Sequence, residues 1–166
     1  MRIIVHRSQK DEQHEGGNVE MTKILVIHGP NLNLLGRRQI DIYGTTDLKT
    51  INDEVLKKAK ALKVAVEFYQ SNHEGDIVEA IGKADKKFDA IIINPAAYTH
   101  TSVAIRDAIS AINIPTIEVH LTNIYAREDF RQKSLISPVA KGVISGFGVN
   151  SYLLGLDAAV SMSKPR

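Results

Sequence analysis

A chain of 166 residues, 43% hydrophobic and 24% charged, has the length and composition of one globular domain with its own core. A formal net charge of only +2, with no Lys/Arg cluster interleaved with aromatics, argues against a nucleic-acid surface and leaves a small anion as the expected charged ligand. No run approaches the roughly 18 apolar residues of a membrane span, and zero cysteines exclude disulfides and thiolate chemistry, so the default location is the cytoplasm.

In chain order, residues 1–22 come first and are polar, Gly-containing and without period after a brief "IIV". That apolar start is far shorter than a secretory h-region, and the segment is too acidic for a transit peptide. It is expected to be a flexible N-terminal extension ahead of a single domain over 23–166, with Met21 a candidate natural start. From there, short β-rich runs alternate with helical periodicity. "KILVIH" (23–28), "VAVEFYQ" (64–70), "AIIIN" (90–94), "TIEVH" (116–120) and "GVISG" (142–146) predict five strands. Three are nearly continuously apolar, as parallel strands covered on both faces are.

Between the strands, Leu48, Ile51, Val55, Ala59 and Leu62 keep helical spacing, with Lys57, Lys58, Lys60 and Lys63 mostly on the solvent side. Ile77, Ile81, Ala84 and Phe88 form a second stripe, residues 101–112 predict a third helix and 150–161 a last one. Strict alternation of strand and helix implies right-handed crossovers. The predicted fold class is therefore α/β, a flavodoxin-like three-layer sandwich with a five-stranded parallel sheet.

Ligands of open parallel sheets bind outside the carboxyl ends of the strands. The segments there are "HGPNLNLLGRRQIDIYG", "SNHEGD", "NPAAYTHTS" and "EVHLTNIYAREDFR", rich in His, Asn, Arg, Glu and Tyr rather than the Ser, Gly, Asp and Lys of bland loops. "GPNLNLLG" reads as a turn made by Gly29 and Pro30 with Asn31 as a cap, or as part of a site; it lacks the glycine spacing of a phosphate loop. "GRRQIDIYG" (36–44) reads as a solvated loop or as a flap hinged at Gly36 and Gly44.

His28, His73, His100 and His120 show no metal-ligand spacing. A lone histidine near a core strand is ordinarily a hydrogen-bonded structural residue. His120 differs, because Glu118 lies two residues earlier on the same strand and period-two geometry puts both on one face. A carboxylate beside an imidazole orients it and stabilises the imidazolium, which suits a general acid. Arg106 and Asp107 read as a surface ion pair. Arg127 and Arg131, one helical turn apart, either solvate a short helix or meet an anionic ligand or a neighbouring subunit.

Taken together, "GPNLNLLGRR...YG", "QSNHEG", "NPAAYTHTS", "IPTIEVHLTN" and "SPVAKGVISGFG" closely resemble the signatures of type II 3-dehydroquinate dehydratases, in order, from about Lys23 to Leu156. The resemblance implies a hydro-lyase of the shikimate pathway that converts 3-dehydroquinate to 3-dehydroshikimate with no cofactor and no metal. It also implies a dodecamer of four trimers. Position by position, it places the catalytic base on Tyr43, its flap arginine on Arg38, the general acid on His120 supported by Glu118, and the enolate-stabilising asparagine on Asn31. Substrate binding falls on Asn94, His100, Asp107, Leu121, Thr122 and Arg131, with Arg127 close by.

Thr122 stands where many members have Ser, Tyr125 where His is common and Ala97 where Gly is common. Two other readings lead elsewhere. A Schiff-base dehydratase needs a buried lysine, whereas the lysines here cluster at predicted helix surfaces. A non-catalytic flavodoxin-like module would hold a small anion at the same strand ends without reaction.

Overall fold

The computed structural model describes residues 21–36 and 46–163. Of the expected extension only Met21 and Thr22 fall within that range, and Arg38 and Tyr43 lie outside it. Five strands, β1 (Lys23–His28), β2 (Ala65–Gln70), β3 (Ala90–Asn94), β4 (Thr116–His120) and β5 (Gly142–Ser145), form one parallel sheet in the order β2-β1-β3-β4-β5. Among the described residues, α1 (Leu48–Leu62), α2 (Glu74–Ala84) and α3 (Val103–Ser110) connect successive strands from β1 to β4, and α4 (Asn150–Met162) follows β5.

Alternate residues of each central strand serve opposite faces, as the period of two requires. Ile24, Val26, Ile92 and Val119 join Ile51 and Val55 of α1 and Tyr152 and Leu156 of α4 in one core. Leu25, Ile27, Ile91 and Ile93 join Ile77 and Ile81 of α2 and Ile105 and Ile109 of α3 in the other. Each fully buried Ile contributes about 1.5–3 kcal/mol, whereas an exposed pair such as Lys49–Asp53 contributes under about 1 kcal/mol. The two cores therefore hold the layers together, and the lysine-rich outer face of α1 is solubility more than stability.

Boundaries follow local hydrogen bonding. The Asp47 side chain caps α1 by accepting from Thr50 N at 2.8 Å. Lys63 ends it in the left-handed region, at φ 55°, and Val64 N donates back to Ala59 O, so β2 begins one residue later than its apolar run. Helix α3 is shorter than the 101–112 expected: Ser102 stays outside as the cap, its hydroxyl accepting from Ile105 N at 2.9 Å. Leu62, expected to be buried, is 38% exposed at the last turn of α1. Strand β5 stops before Gly146, whose φ of 97° turns the chain out of the sheet.

Candidate active site

The strand order reverses between β1 and β3, and the loops leaving adjacent strands there diverge to opposite faces of the sheet, opening a crevice. A cavity of about 260 Å³ occupies it. Asn31 and Leu32 reach it from β1, Asn94, Ala97 and His100 from β3, and His120, Leu121 and Thr122 from β4. Arg127 and Arg131 close the side beyond β4. Asp107 is exposed on α3 and is not among the lining residues.

At the end of β4 the expected pairing is present. The His120 ring, 6% exposed, places Nε2 at 2.7 Å from Oε1 of Glu118, which is fully buried. Burial pushes the Glu118 carboxyl up, but the His120 hydrogen bond and charge, then the Ser137 and Thr99 hydroxyls, outweigh it and hold the carboxyl below the ordinary carboxylate range. An ionised carboxylate only accepts, so His120 Nε2 carries a proton and Nδ1 is the nitrogen left for the cavity. Protonated on both nitrogens, the ring can deliver a proton from Nδ1; neutral, it can accept one there.

Asn31 is held in the left-handed region, φ 64°, one of the few conformations in which a non-glycine residue is tolerated when it is Asn. Its N–H donates to Asn72 Oδ1 at 2.9 Å, and Gln70 Nε2 donates both to that oxygen and to Gly29 O. The "QSNHEG" segment thus does not line the cavity; it fixes a residue that does. Asn94 Oδ1 accepts from Ala96 N at 3.1 Å and steadies a second strained turn, with Ala96 at φ 50°. Such a conformation costs an alanine roughly 1 kcal/mol. Ala97, which also lines the cavity, has no left-handed φ.

The chain can bring β1 and β3 this close only because residue 29 is glycine. A Cβ there would lie 2.5 Å from the Pro95 carbonyl oxygen. Gly29→Ala is expected to destabilise the fold by about 1–3 kcal/mol and to lower kcat through displacement of Asn31 and Asn94; thermal melting and steady-state kinetics check both.

Arg127 and Arg131 flank Glu128, their Nε atoms 3.3 and 3.2 Å from its Oε2. The Arg131 contact is an ion-pair separation not aligned as a hydrogen bond. Two guanidiniums line this wall of the cavity, which suits an anionic ligand. His100 donates Nδ1–H to Lys133 O at 2.8 Å, which leaves Nε2 as its second polar atom. Arg106 does not take the expected partner: Nη1 donates to Leu135 O at 2.8 Å, and no ion pair joins it to Asp107 among the described residues. A carbonyl fixed by the fold competes well with a neighbouring carboxylate free in solvent.

The remaining histidines among the described residues, His28 and His73, are structural in placement. His28 is buried between Asn52 Oδ1 at 2.9 Å and the Tyr152 hydroxyl at 3.0 Å, its ring stacked 5.9 Å from Phe68. Burial drives its pKa down to about 4 from the ordinary 6.5, only partly offset by the Asn52 bond. His73 precedes α2 as its cap residue. A lowered histidine pKa means the unfolded chain takes the proton first. Stability should be full above pH 6.5 and fall as pH drops toward 4, by roughly 3 kcal/mol from this group. Urea denaturation across that range, repeated on His28→Asn, measures it; the slope should flatten in the variant.

An ionised carboxylate–imidazole pair at the floor of a small polar cavity, at the switch point of a parallel α/β sheet, is the arrangement of an enzyme doing acid–base chemistry on a small molecule. The family model for Dehydroquinase class II matches residues 22–160. The 3-dehydroquinate dehydratase of Acaryochloris marina is 59% identical over 137 residues, covering 82% of this chain and 92% of that protein. That of Caldicellulosiruptor saccharolyticus is 59% identical over 139 residues, covering 83% and 96%. The crystal structure of a type II dehydroquinase from Butyrivibrio crossotus superposes with a TM-score of 0.83 at 44% identity, covering 84% of this chain and 98% of that one. This chain belongs to the class II dehydroquinase family.

Sequence reading missed the Thr99, Ser134 and Ser137 hydroxyls around Glu118, and Asn72 beneath Asn31. All four sit at or beside the motifs quoted above, and the signal available was the need of a buried carboxylate, and of a strained asparagine, for hydrogen-bond partners.

Proposed function

We propose that this chain is a 3-dehydroquinate dehydratase, a hydro-lyase of the shikimate pathway that eliminates water from 3-dehydroquinate through an enolate to give 3-dehydroshikimate. One observation carries the reading: the buried Glu118–His120 pair opens onto the same cavity as Asn31, Asn94, Thr122 and Arg131. Tyr43 as phenolate takes the proton alpha to the ketone, and the electron pair moves onto the carbonyl oxygen. Free tyrosine titrates near 10, so ionisation at neutral pH needs a permanent cation beside it, the part assigned to Arg38. Asn31 stabilises the enolate oxygen.

The enolate then collapses, the new C=C forms, the C–O bond breaks, and the His120 Nδ1–H proton passes to the departing oxygen as water leaves. Tyr43 has gained a proton and His120 has lost one, so a net transfer between them, through solvent, resets the enzyme. Asn94, His100, Leu121 and Thr122 orient the substrate's hydroxyls and carboxylate, with Arg127 and Arg131 supplying positive charge. No cofactor or metal takes part.

The same reading makes the protein a cytoplasmic homo-oligomer, a dodecamer of four trimers. Support comes from apolar side chains left in solvent on and beside edge strand β5: Val143, Phe147 and Leu154. Asp107, away from this cavity, would serve the cavity of a neighbouring copy. Sedimentation should give the mass of twelve chains.

Adding 3-dehydroquinate to the full chain should raise the absorbance of a conjugated enone. Borohydride with substrate should leave the enzyme active, since no lysine forms a Schiff base. A folded protein that binds dehydroquinate and yields no enone would overturn the reading in favour of a binding module, and covalent inactivation would favour the lysine mechanism.

A further inference from the structure

The Glu118 carboxylate is surrounded by more donors than His120 alone. Thr99 Oγ1 bonds to Oε1; Ser134 Oγ lies 3.1 and 3.3 Å from the two oxygens; Ser137 Oγ is 2.6 Å from Oε2. Donor bookkeeping limits the directions. Ser134 Oγ accepts from Ile136 N at 3.0 Å and from Ser137 N at 2.9 Å, which uses both of its lone pairs. Its one proton must therefore go outward, to Thr99 Oγ1 at 2.8 Å, the nearest acceptor, or to the carboxylate at 3.1 and 3.3 Å. With Ser134 unable to accept further, the Thr99 proton goes to Glu118. Oε1 then accepts from His120 and Thr99 and Oε2 from Ser137, with Ser134 completing the shell through Thr99 or directly.

Both carboxylate oxygens are met by donors, and placing a proton on Glu118 would break at least one of these hydrogen bonds. Such a shell favours the anion strongly. The three hydroxyls come from the loop after β3 and from the segment before β5, so two separate parts of the chain converge on one buried charge.

We propose that Thr99, Ser134 and Ser137 are positioning residues of the general acid: their hydroxyls keep Glu118 anionic and so lock His120 in the orientation that offers Nδ1 to the cavity. This rests on the dehydratase reading above, and wild-type turnover of dehydroquinate tests that reading separately.

Two variants and one spectrum test the proposal in the full-length protein. Ser137→Ala removes one donor from Oε2, and shape-conserving Thr99→Val removes one from Oε1. Losing a donor raises the carboxylate's affinity for a proton. The acidic limb of the kcat–pH profile should move up by roughly one unit, while kcat at neutral pH, where the carboxylate stays ionised, and KM should change little. Ser137→Thr, which keeps the hydroxyl, should restore the wild-type limb. In the wild-type enzyme, nitrogen NMR of His120 should show Nε2 protonated throughout the active pH range. An unmoved acidic limb in both folded variants, with wild-type turnover normal, would overturn the positioning role. So would a His120 spectrum with Nε2 unprotonated, and that result stands even if either variant fails to fold.

Discussion

His120→Ala should lower kcat by about three orders of magnitude while binding of a substrate analogue weakens by less than about tenfold. The ring is one of several residues lining the cavity, 6% exposed, and in the proposed reaction it meets the departing hydroxyl while the other lining residues hold the rest of the substrate. Hydroxide is a poor leaving group, so elimination depends on a proton arriving as the C–O bond breaks. The variant also takes one donor from buried Glu118, which should cost about 1–3 kcal/mol of stability. Melting curves separate that loss from catalysis: a folded variant with slow turnover and near-normal binding is the expected outcome. Equal collapse of binding, turnover and melting temperature would assign His120 a structural role instead.

The second large effect belongs to Tyr43. Tyr43→Phe should reduce kcat by about 10²–10⁴-fold, the range a lost general base produces, and no change of pH should restore it. Arg38→Lys should also be damaging, because an ammonium does not reproduce the planar fork of a guanidinium beside a phenolate. Both residues lie outside the described part of the chain, so the expectation rests on family membership and on the acid–base chemistry of phenol. Near-wild-type turnover in Tyr43→Phe would remove the base assignment and leave the acid half untouched.

Much of this architecture is legible in the chain because the relevant signals are local. Strands β3 and β4 match their apolar runs residue for residue, since a strand buried on both faces is written in consecutive Ile and Val. The Glu118–His120 pair is legible for a similar reason: two residues apart on a strand means the same face. Helix α3 was overestimated because Ser102 and the residues around it are as compatible with a helix as with its cap, and the hydrogen bond to Ile105 N decides between them.

What the chain does not disclose locally are contacts made across it. Thr99 and Ser137 each stand 19 positions from Glu118, and Asn72 stands 41 from Asn31. Small hydroxyls and amides are common in loops, and nothing in their neighbours says that a buried carboxylate will land beside them. Arg106 illustrates the converse. Adjacent Asp107 suggested an ion pair, but the fold offers the Leu135 carbonyl 29 positions away. The roles assigned to Asn31 and Asn94 came from the family resemblance, while the left-handed φ of Asn31 and Ala96 that shapes their loops is set by contacts across the fold.

The division of labour between a tyrosine base and a histidine acid is the central claim, and solvent exchange in His120→Ala tests it most directly. With the acid removed and the base intact, 3-dehydroquinate in deuterated water should exchange its alpha proton, followed by NMR, much faster than it forms enone. Deprotonation would run forward and back while elimination waits. If exchange and elimination instead fell together in a folded variant that still binds the substrate, His120 would be acting before or during proton abstraction, and the assignment of separate acid and base would be wrong.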